Sequence, residues 1–282
     1  MIAYVRGEFL PEEQATVPLL DRGYLYGDGL FETILVHQGR PFRWAQHLER
    51  LRKGADFLGI VPPLTPREVR GVMNELIKQN GVERAVLRVA LSRGVGRRGY
   101  SPVGAVKPTL AISVHPAPEI DPASPPQWRM CTSTLVRVPA NDRLSVFKTS
   151  SKLSHVVARA EADAAGVDEA LLVNTNNEVT EATGGNIFWL WRDVIHTNPT
   201  AVGALPGITR AVVLELCTAL GLRTQKKIVR VDMLKHAEAV FLTQSTHGIV
   251  PVLSLDEVEF AIPPALGTLS RAYWDLVAKE SA

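Results

Sequence analysis

Three short segments in the second half of the sequence carry residue types that could do chemistry together. In VFKTSSKLSHVVARAEA (146–162), Lys148 follows an apolar pair and precedes a helical pattern, with Leu153, Val156, Val157 and Ala160 predicted as its inward face. A lysine at such a junction can point into a cleft from a rigid backbone, and desolvation there lowers its pKa toward use as a Schiff-base nucleophile. In EVTEATGGNIF (178–188), Glu181 ends a short strand ahead of the turn Thr183, Gly184, Gly185, Asn186, where a buried carboxylate could pair with a protonated ring nitrogen. In LPGITR (205–210), Pro206 and Gly207 precede a helix beginning near Ile208, so the N–H groups of Ile208 and Thr209 form a natural phosphate seat. Singly, each has a plainer reading, because most lysines and glutamates are solvated. Together they suggest a phosphorylated cofactor held by a lysine.

The elements that must position these residues follow from periodicity. The first half opens with a strand-like Ile2 to Val5, a turn at Arg6 and Gly7, and a second strand signal through Phe31, Ile34 and Val36. Trp44, Leu48, Leu51, Ala55 and Leu58 recur at helical spacing and stop at Gly59, with Arg50 inside the helix. Thr65 before Pro66 predicts the cap of a second helix, ending near Asn80 and Gly81. Strands are expected over Ala85 to Leu91, Thr109 to Val114, Met130 to Val136, Ala170 to Val173 and Ile187 to Trp191, and helices over Ser151 to Ala165 and Ile208 to Leu220. A proline-rich stretch after Pro116 reads as a linker. This predicts an α+β protein with an N-terminal domain over 1–117, a linker over 118–126 and a larger C-terminal domain over 127–282.

Composition narrows the function. The 282 residues include 31 Lys+Arg against 29 Asp+Glu, and a net charge of +2 is too small for the basic footprint of a nucleic-acid binder. No apolar run approaches the length that spans a bilayer. Cys131 and Cys217 are too few for a disulfide framework, and His47, His155 and His247 lack metal-ligand spacing and read as packing or surface residues. A soluble protein in a reducing, cytoplasmic setting, without a metal site, is expected. Gly94, Gly96 and Gly99 spell a G-x-G-x-x-G, but Tyr100, Ser101 and Pro102 do not open the helix that a dinucleotide site requires.

Six motifs in order resemble one family along nearly the whole chain: DRGYLYGDGLFET (21–33), HLERL (47–51), the Lys148 and Glu181 segments, LPGITR, and FLTQSTHGIVP (241–251). The chain is similar to the fold-type IV pyridoxal-phosphate enzymes, which include branched-chain and D-amino-acid aminotransferases, R-selective amine transaminases and 4-amino-4-deoxychorismate lyase. The resemblance implies a two-domain homodimer using pyridoxal 5'-phosphate. It implies Lys148 as the Schiff-base lysine and proton shuttle, and Glu181 as partner of the pyridine nitrogen. Arg50, Ile208, Thr209, Ser245 and Thr246 would hold the phosphate. Lys152 competes for the Schiff base, but the family lysine precedes the helix, and Lys152 is expected in its first turn.

Within the family, branched-chain enzymes usually carry a tyrosine five residues after the lysine, where this chain has Leu153. Ser151 stands where D-amino-acid enzymes and lyases usually show asparagine. The loop SRGVGRRGYSP (92–102) resembles that of the lyases, and also offers Arg98 where D-amino-acid enzymes bind the substrate carboxylate, with Tyr100 replacing their histidine. Phe31, Arg98 and Tyr100 are the expected substrate residues. The expected activity is transfer of an amino group from an amino acid or primary amine to a keto acid. The alternatives are aminodeoxychorismate lyase, releasing pyruvate and 4-aminobenzoate, and a non-catalytic relative, against which the joint presence of Lys148, Glu181 and Arg50 argues.

Overall fold

A computed structural model describes residues 1–281. Its residues cluster into two compact units. The first comprises Met1–Pro118 and Phe147–Lys152 with the C-terminal end from Val277, and the second comprises Glu119–Val146 and Leu153–Leu276. Both mix helices and strands, giving the α+β class expected from the sequence.

In the first unit, β1 (Ile2–Val5), β2 (Glu8–Pro11), β3 (Gly29–His37), β4 (Arg40–Pro41), β5 (Ala85–Ser92) and β6 (Thr109–Pro116) form one antiparallel sheet in the order β2-β1-β6-β5-β3-β4. A short α1 (Arg22–Tyr26) enters β3, and α2 (Trp44–Leu58) and α3 (Pro66–Asn80) pack on the sheet. Strand alternation decides which side chains meet them. Leu30, Ile34 and Val36 of β3, with Leu87, Val89 and Leu91 of β5, join Leu48, Leu51, Met73 and Leu76 of the helices in one core. Phe31, Thr33 and Arg88 therefore look out from the opposite face. Helix α3 begins on the capping box the sequence signals, with Thr65 Oγ accepting from Glu68 N and Thr65 N donating to the Glu68 carboxylate.

The second unit is built on a sheet in the order β12-β11-β10-β13-β14-β7-β8-β9, with β15 on β14. Its strands are β7 (Trp128–Thr132), β8 (Glu169–Val173), β9 (Val179–Ala182), β10 (Asn186–Trp191), β11 (Val194–Thr197), β12 (Thr224–Lys226), β13 (Ala239–Gln244), β14 (Gly248–Leu255) and β15 (Val258–Glu259). The helices are α4 (Leu153–Ala164), α5 (Ile208–Ala219) and α6 (Val231–Leu234), and α7 (Pro264–Ser281) closes the described chain. Among the described residues, no helix is long and apolar enough to cross a membrane.

Three expectations change here. The buried face of α4 is Ala158 and Ala162, packed with Ala170 and Leu172 of β8, while Leu153 is 74% exposed and Val156 and Ala160 are exposed too. Small residues let the helix lie close on the strand, which larger side chains on that face would prevent. Strand β7 stops at Thr132 instead of continuing to Val136, because Ser133, Thr134 and Leu135 turn to donate four hydrogen bonds to Glu161 of α4. Lys152 lies just before α4 and not within its first turn.

Candidate active site

The first unit holds a charged cluster inside its core. Glu32 lies on the core face of β3 and is 0% exposed, a position a carboxylate tolerates only when paired. His47 and Arg50, three residues apart on α2, occupy one helix face and supply the partners. Arg50 donates from Nε to Oε1 at 2.8 Å and from Nη2 to Oε2 at 2.6 Å, and His47 Nδ1 lies 2.7 Å from Oε2. Burial pushes Glu32 up, but hydrogen bonds from His47 and Arg50 outweigh it and hold the carboxyl at about 2. Burial lowers His47 below the ordinary histidine value, so the neutral ring donates from Nδ1 to the anion. His47 is therefore part of this charged cluster and not only a packing residue.

Lys148 belongs to the same unit although most of its sequence neighbours belong to the other. Its carbonyl accepts from Phe31 N at 2.9 Å, Ser150 N donates to Gly29 O at 2.9 Å, and Thr149 bridges Leu30, so the segment adds an antiparallel edge to the start of β3. Phe147 anchors it below, its ring 4.6 Å from that of Phe57. The backbone of Lys148 is fixed on both sides, and its Nζ stands 4.7 Å from the centre of the Phe31 ring. The charge of Lys148 also depresses His47, which places the lysine in the field of the Glu32 cluster.

Arg98 and Tyr100 lie on the exposed loop between β5 and β6, where Tyr100 is 88% exposed. The loop is held by an arginine that sequence reasoning missed. Buried Arg22 donates from Nη1 to the carbonyls of Gly99 and Ser101 and from Nη2 to that of Tyr100, at 2.9 to 3.1 Å. Its Nε donates to Asp28 at 2.8 Å, and Arg93 donates to the same oxygen at 2.8 Å. Burial opposes ionisation of Asp28, but the two guanidinium groups keep its carboxyl below the ordinary aspartate value. A Cβ on Gly94 at the loop base would overlap Lys107 O, so glycine permits the crossing of the two loop stems.

The second unit gathers the other expected residues. Glu181 sits near the end of β9, 9% exposed, with Oε2 accepting from Leu205 N at 2.9 Å and Asn186 Nδ2 at 3.1 Å. Its Oε1 accepts no hydrogen bond among the described residues and faces His155 Nε2 at 3.9 Å. Asn186 also donates to Leu205 O at 2.8 Å, tying β10 to the LPGITR segment. Gly207 caps α5 in an extended conformation without a side-chain bond, and a Cβ there would overlap Asn186 Oδ1. The N–H groups of Ile208 and Thr209 at the start of α5 find no acceptor among the described residues, which is the anion-binding state of a helix N-terminus. Ser245 and Thr246 form the turn between β13 and β14. The Thr246 hydroxyl donates to Gln244 Oε1 at 2.8 Å, so that turn offers a ligand its backbone donors rather than this hydroxyl.

A buried carboxylate with one oxygen satisfied and the other open, near a helix start whose N–H groups await an anion, fits a ring that carries a protonatable nitrogen and a phosphate. The family Amino-transferase class IV matches residues 29–255. The chain belongs to this family. It is 35% identical over 256 residues to a putative branched-chain-amino-acid aminotransferase of Methanocaldococcus jannaschii, covering 91% of this chain and 88% of that one. Over 258 residues it is 30% identical to an aminodeoxychorismate lyase of Vibrio harveyi, covering 92% and 94%. Among solved structures, a T.th. branched-chain amino acid aminotransferase, determined with pyridoxamine 5'-phosphate, superposes with a TM-score of 0.91 at 27% identity over 98% of this chain and 93% of that one. The class IV aminotransferase fold is thus the one the six sequence motifs imply, and the chain is an enzyme of that family.

Signals for the missed residues differ. Glu32 was visible as an acid among the apolar residues of the GLFET motif, at a position where alternation demands a core side chain. Arg22 and Asp28 flank the same motif but meet their partners only in three dimensions. Asn186 is the fourth residue of the turn after Glu181.

Proposed function

We propose that this class IV enzyme is a pyridoxal 5'-phosphate-dependent aminotransferase acting on an amino acid or primary amine. The observation that carries the reading is Glu181, buried, held on one oxygen by Leu205 N and Asn186 Nδ2, and open on the other. Bound pyridoxal phosphate supplies an aldehyde that condenses with amines and a ring that takes up the electron pair left when the substrate carbon loses its proton. Lys148 Nζ would hold the cofactor and would move the proton at the substrate carbon; its stapled backbone limits where the amine can travel. Glu181 keeps the ring nitrogen protonated. Arg50, aimed by its fork on Glu32, is assigned to the phosphate, as are the N–H groups of Ile208 and Thr209 and the donors of Ser245 and Thr246. Phe31, Arg98 and Tyr100 contact the substrate, with Arg22 fixing the loop that carries the last two. The enzyme works as a cytoplasmic homodimer in this reading.

A second reading, aminodeoxychorismate lyase, is favoured by the SRGVGRRGYSP loop and by the V. harveyi relative. One experiment separates the two. The visible spectrum of the protein with pyridoxal phosphate is recorded before and after adding L- and D-amino acids and chiral amines without a keto acid. Conversion of the lysine-bound band to the pyridoxamine form by one donor establishes transamination. A band that no donor bleaches, with 4-aminobenzoate formed from aminodeoxychorismate, establishes the lyase. Lys148→Ala removes the band while Lys152→Ala keeps it; the reverse sinks the assignment of Lys148.

A further inference from the structure

The hairpin of β10 and β11 in the second unit carries two tryptophans on one face. Alternation puts Trp189 and Trp191 on the same side of β10, and Trp189 pairs with His196 of β11, the two rings stacking with centres 5.5 Å apart. The chain after β12 packs against this face and is tethered at both ends. Lys227 N donates to Thr197 O at 3.0 Å, and Val179 N donates to Val229 O at 2.8 Å. Buried Val229 and Leu234 join Trp189 in the core, which leaves Lys227, Ile228, Arg230 and Met233 at the exposed rim. Between this rim and the tryptophans lies a cleft of about 240 Å³. None of the residues expected to hold the cofactor or the substrate lines it.

The walls and charges of the cleft point to one kind of ligand. Trp191 is partly exposed beside buried Trp189, so the indoles offer an apolar surface that a planar ring can cover. Lys227 and Arg230 make no ion pair and no side-chain hydrogen bond among the described residues, whereas Lys235, just past α6, is held by Asp256 and Glu257. Glu178 is the one carboxylate lining the cleft among the described residues, and its Oε2 already accepts from Asn174 Nδ2 at 2.8 Å. Burial lowers His196 below the ordinary histidine value and the charge of Lys227 lowers it further, so the ring stacked on Trp189 adds no charge at neutral pH. Two uncommitted cations against one engaged carboxylate favour an anion. The volume sets its size, since about 150 Å³ already holds one benzene ring and drug-sized ligands occupy about 300 Å³ or more. We infer that this cleft is a binding site for a single-ring aromatic carboxylate, its ring against Trp191 and Trp189 and its anion toward Lys227 and Arg230.

The test titrates the cofactor-loaded protein with benzoate, and with benzyl alcohol as its uncharged counterpart, by calorimetry and tryptophan fluorescence. Benzoate is expected to bind saturably and about tenfold or more tighter than benzyl alcohol, the worth of a charged hydrogen bond. Its affinity falls by a similar factor in the double variant Lys227→Met, Arg230→Met, and a few-fold in Trp191→Leu, which loses an aromatic contact. Arg230→Lys keeps a cation and most of the affinity, which separates lost charge from a damaged fold. The fluorescence change on binding shrinks in Trp191→Phe. Absence of benzoate binding overturns the inference. So does an affinity unchanged in both the double variant and Trp191→Leu, because the anion then sits elsewhere, as in the substrate site. Equal affinity for benzyl alcohol overturns it too, since the cations then select nothing. The readout is binding at residues outside the cofactor set, so a cofactor band that never forms refutes the proposed function and leaves this site standing.

Discussion

Two of the buried glutamates, Glu32 of the first unit and Glu181 of the second, are held in opposite ways. Glu32 receives three donors on both oxygens, two from Arg50 and one from His47. Glu181 receives two neutral donors on one oxygen and, among the described residues, none on the other. A carboxylate whose two oxygens are both taken, by the Arg50 cation and the His47 ring, serves to orient these donors. A half-satisfied carboxylate keeps one oxygen available. Donor count on each oxygen thus separates a carboxylate that is fully used within the protein from one with an oxygen to spare, where burial alone would not.

The comparison is tested most severely by Glu181→Gln, which should retain the fold and the cofactor band but lose turnover by about a hundredfold or more, as removal of a preorganised charge does. Turnover within tenfold of the unsubstituted protein would break it. Glu32→Gln should act on the fold instead, costing about 3 kcal/mol in a denaturant titration because Arg50 loses its charged partner in the core. The same residue gives a pH signature. Its carboxyl lies at about 2 in the folded chain against the ordinary 4.5, so its stabilisation is complete above about pH 4.5 and is lost as pH falls toward 2. That interval corresponds to about 3 kcal/mol, and E32Q should flatten the acid limb of the stability curve by this amount. The smallest effect is expected from Arg22→Lys, which keeps a charge for Asp28 but loses the fork to three carbonyls. It should raise the KM of the donor a few-fold with the band unchanged, checked by steady-state kinetics.

Local features were legible in the sequence, and distant pairings were not. Helices α2 and α3 declare themselves through spacing, the Thr65 capping box and the glycines that follow them. The sequence locates helix α4 but points to the wrong face of it, because the larger apolar residues Leu153 and Val156 outweigh Ala158 and Ala162 in a pattern that contains no information about how closely a strand approaches. The roles expected of Lys148, Glu181 and Arg50 rest on ordered motifs that resemble a family, since a lone lysine or glutamate carries no such mark. The Glu32–Arg50 fork joins residues 18 apart on a strand and a helix, and the link of Phe31 to Lys148 joins the two halves of the sequence. Neither can be read from periodicity.

The strand edge that fixes Lys148 bears on how the chain is made. Residues 29–31 lie in the part synthesised first, and the segment that pairs with them, Phe147–Lys152, follows only after β7 has been made. At about 5–20 residues per second, the emerging first unit waits seconds for that partner. Until then the start of β3 offers unpaired backbone groups to any neighbouring chain. The Lys148 segment therefore doubles as a closure: its arrival protects an edge of the sheet, and a polypeptide cut short before it lacks both the lysine and the cover.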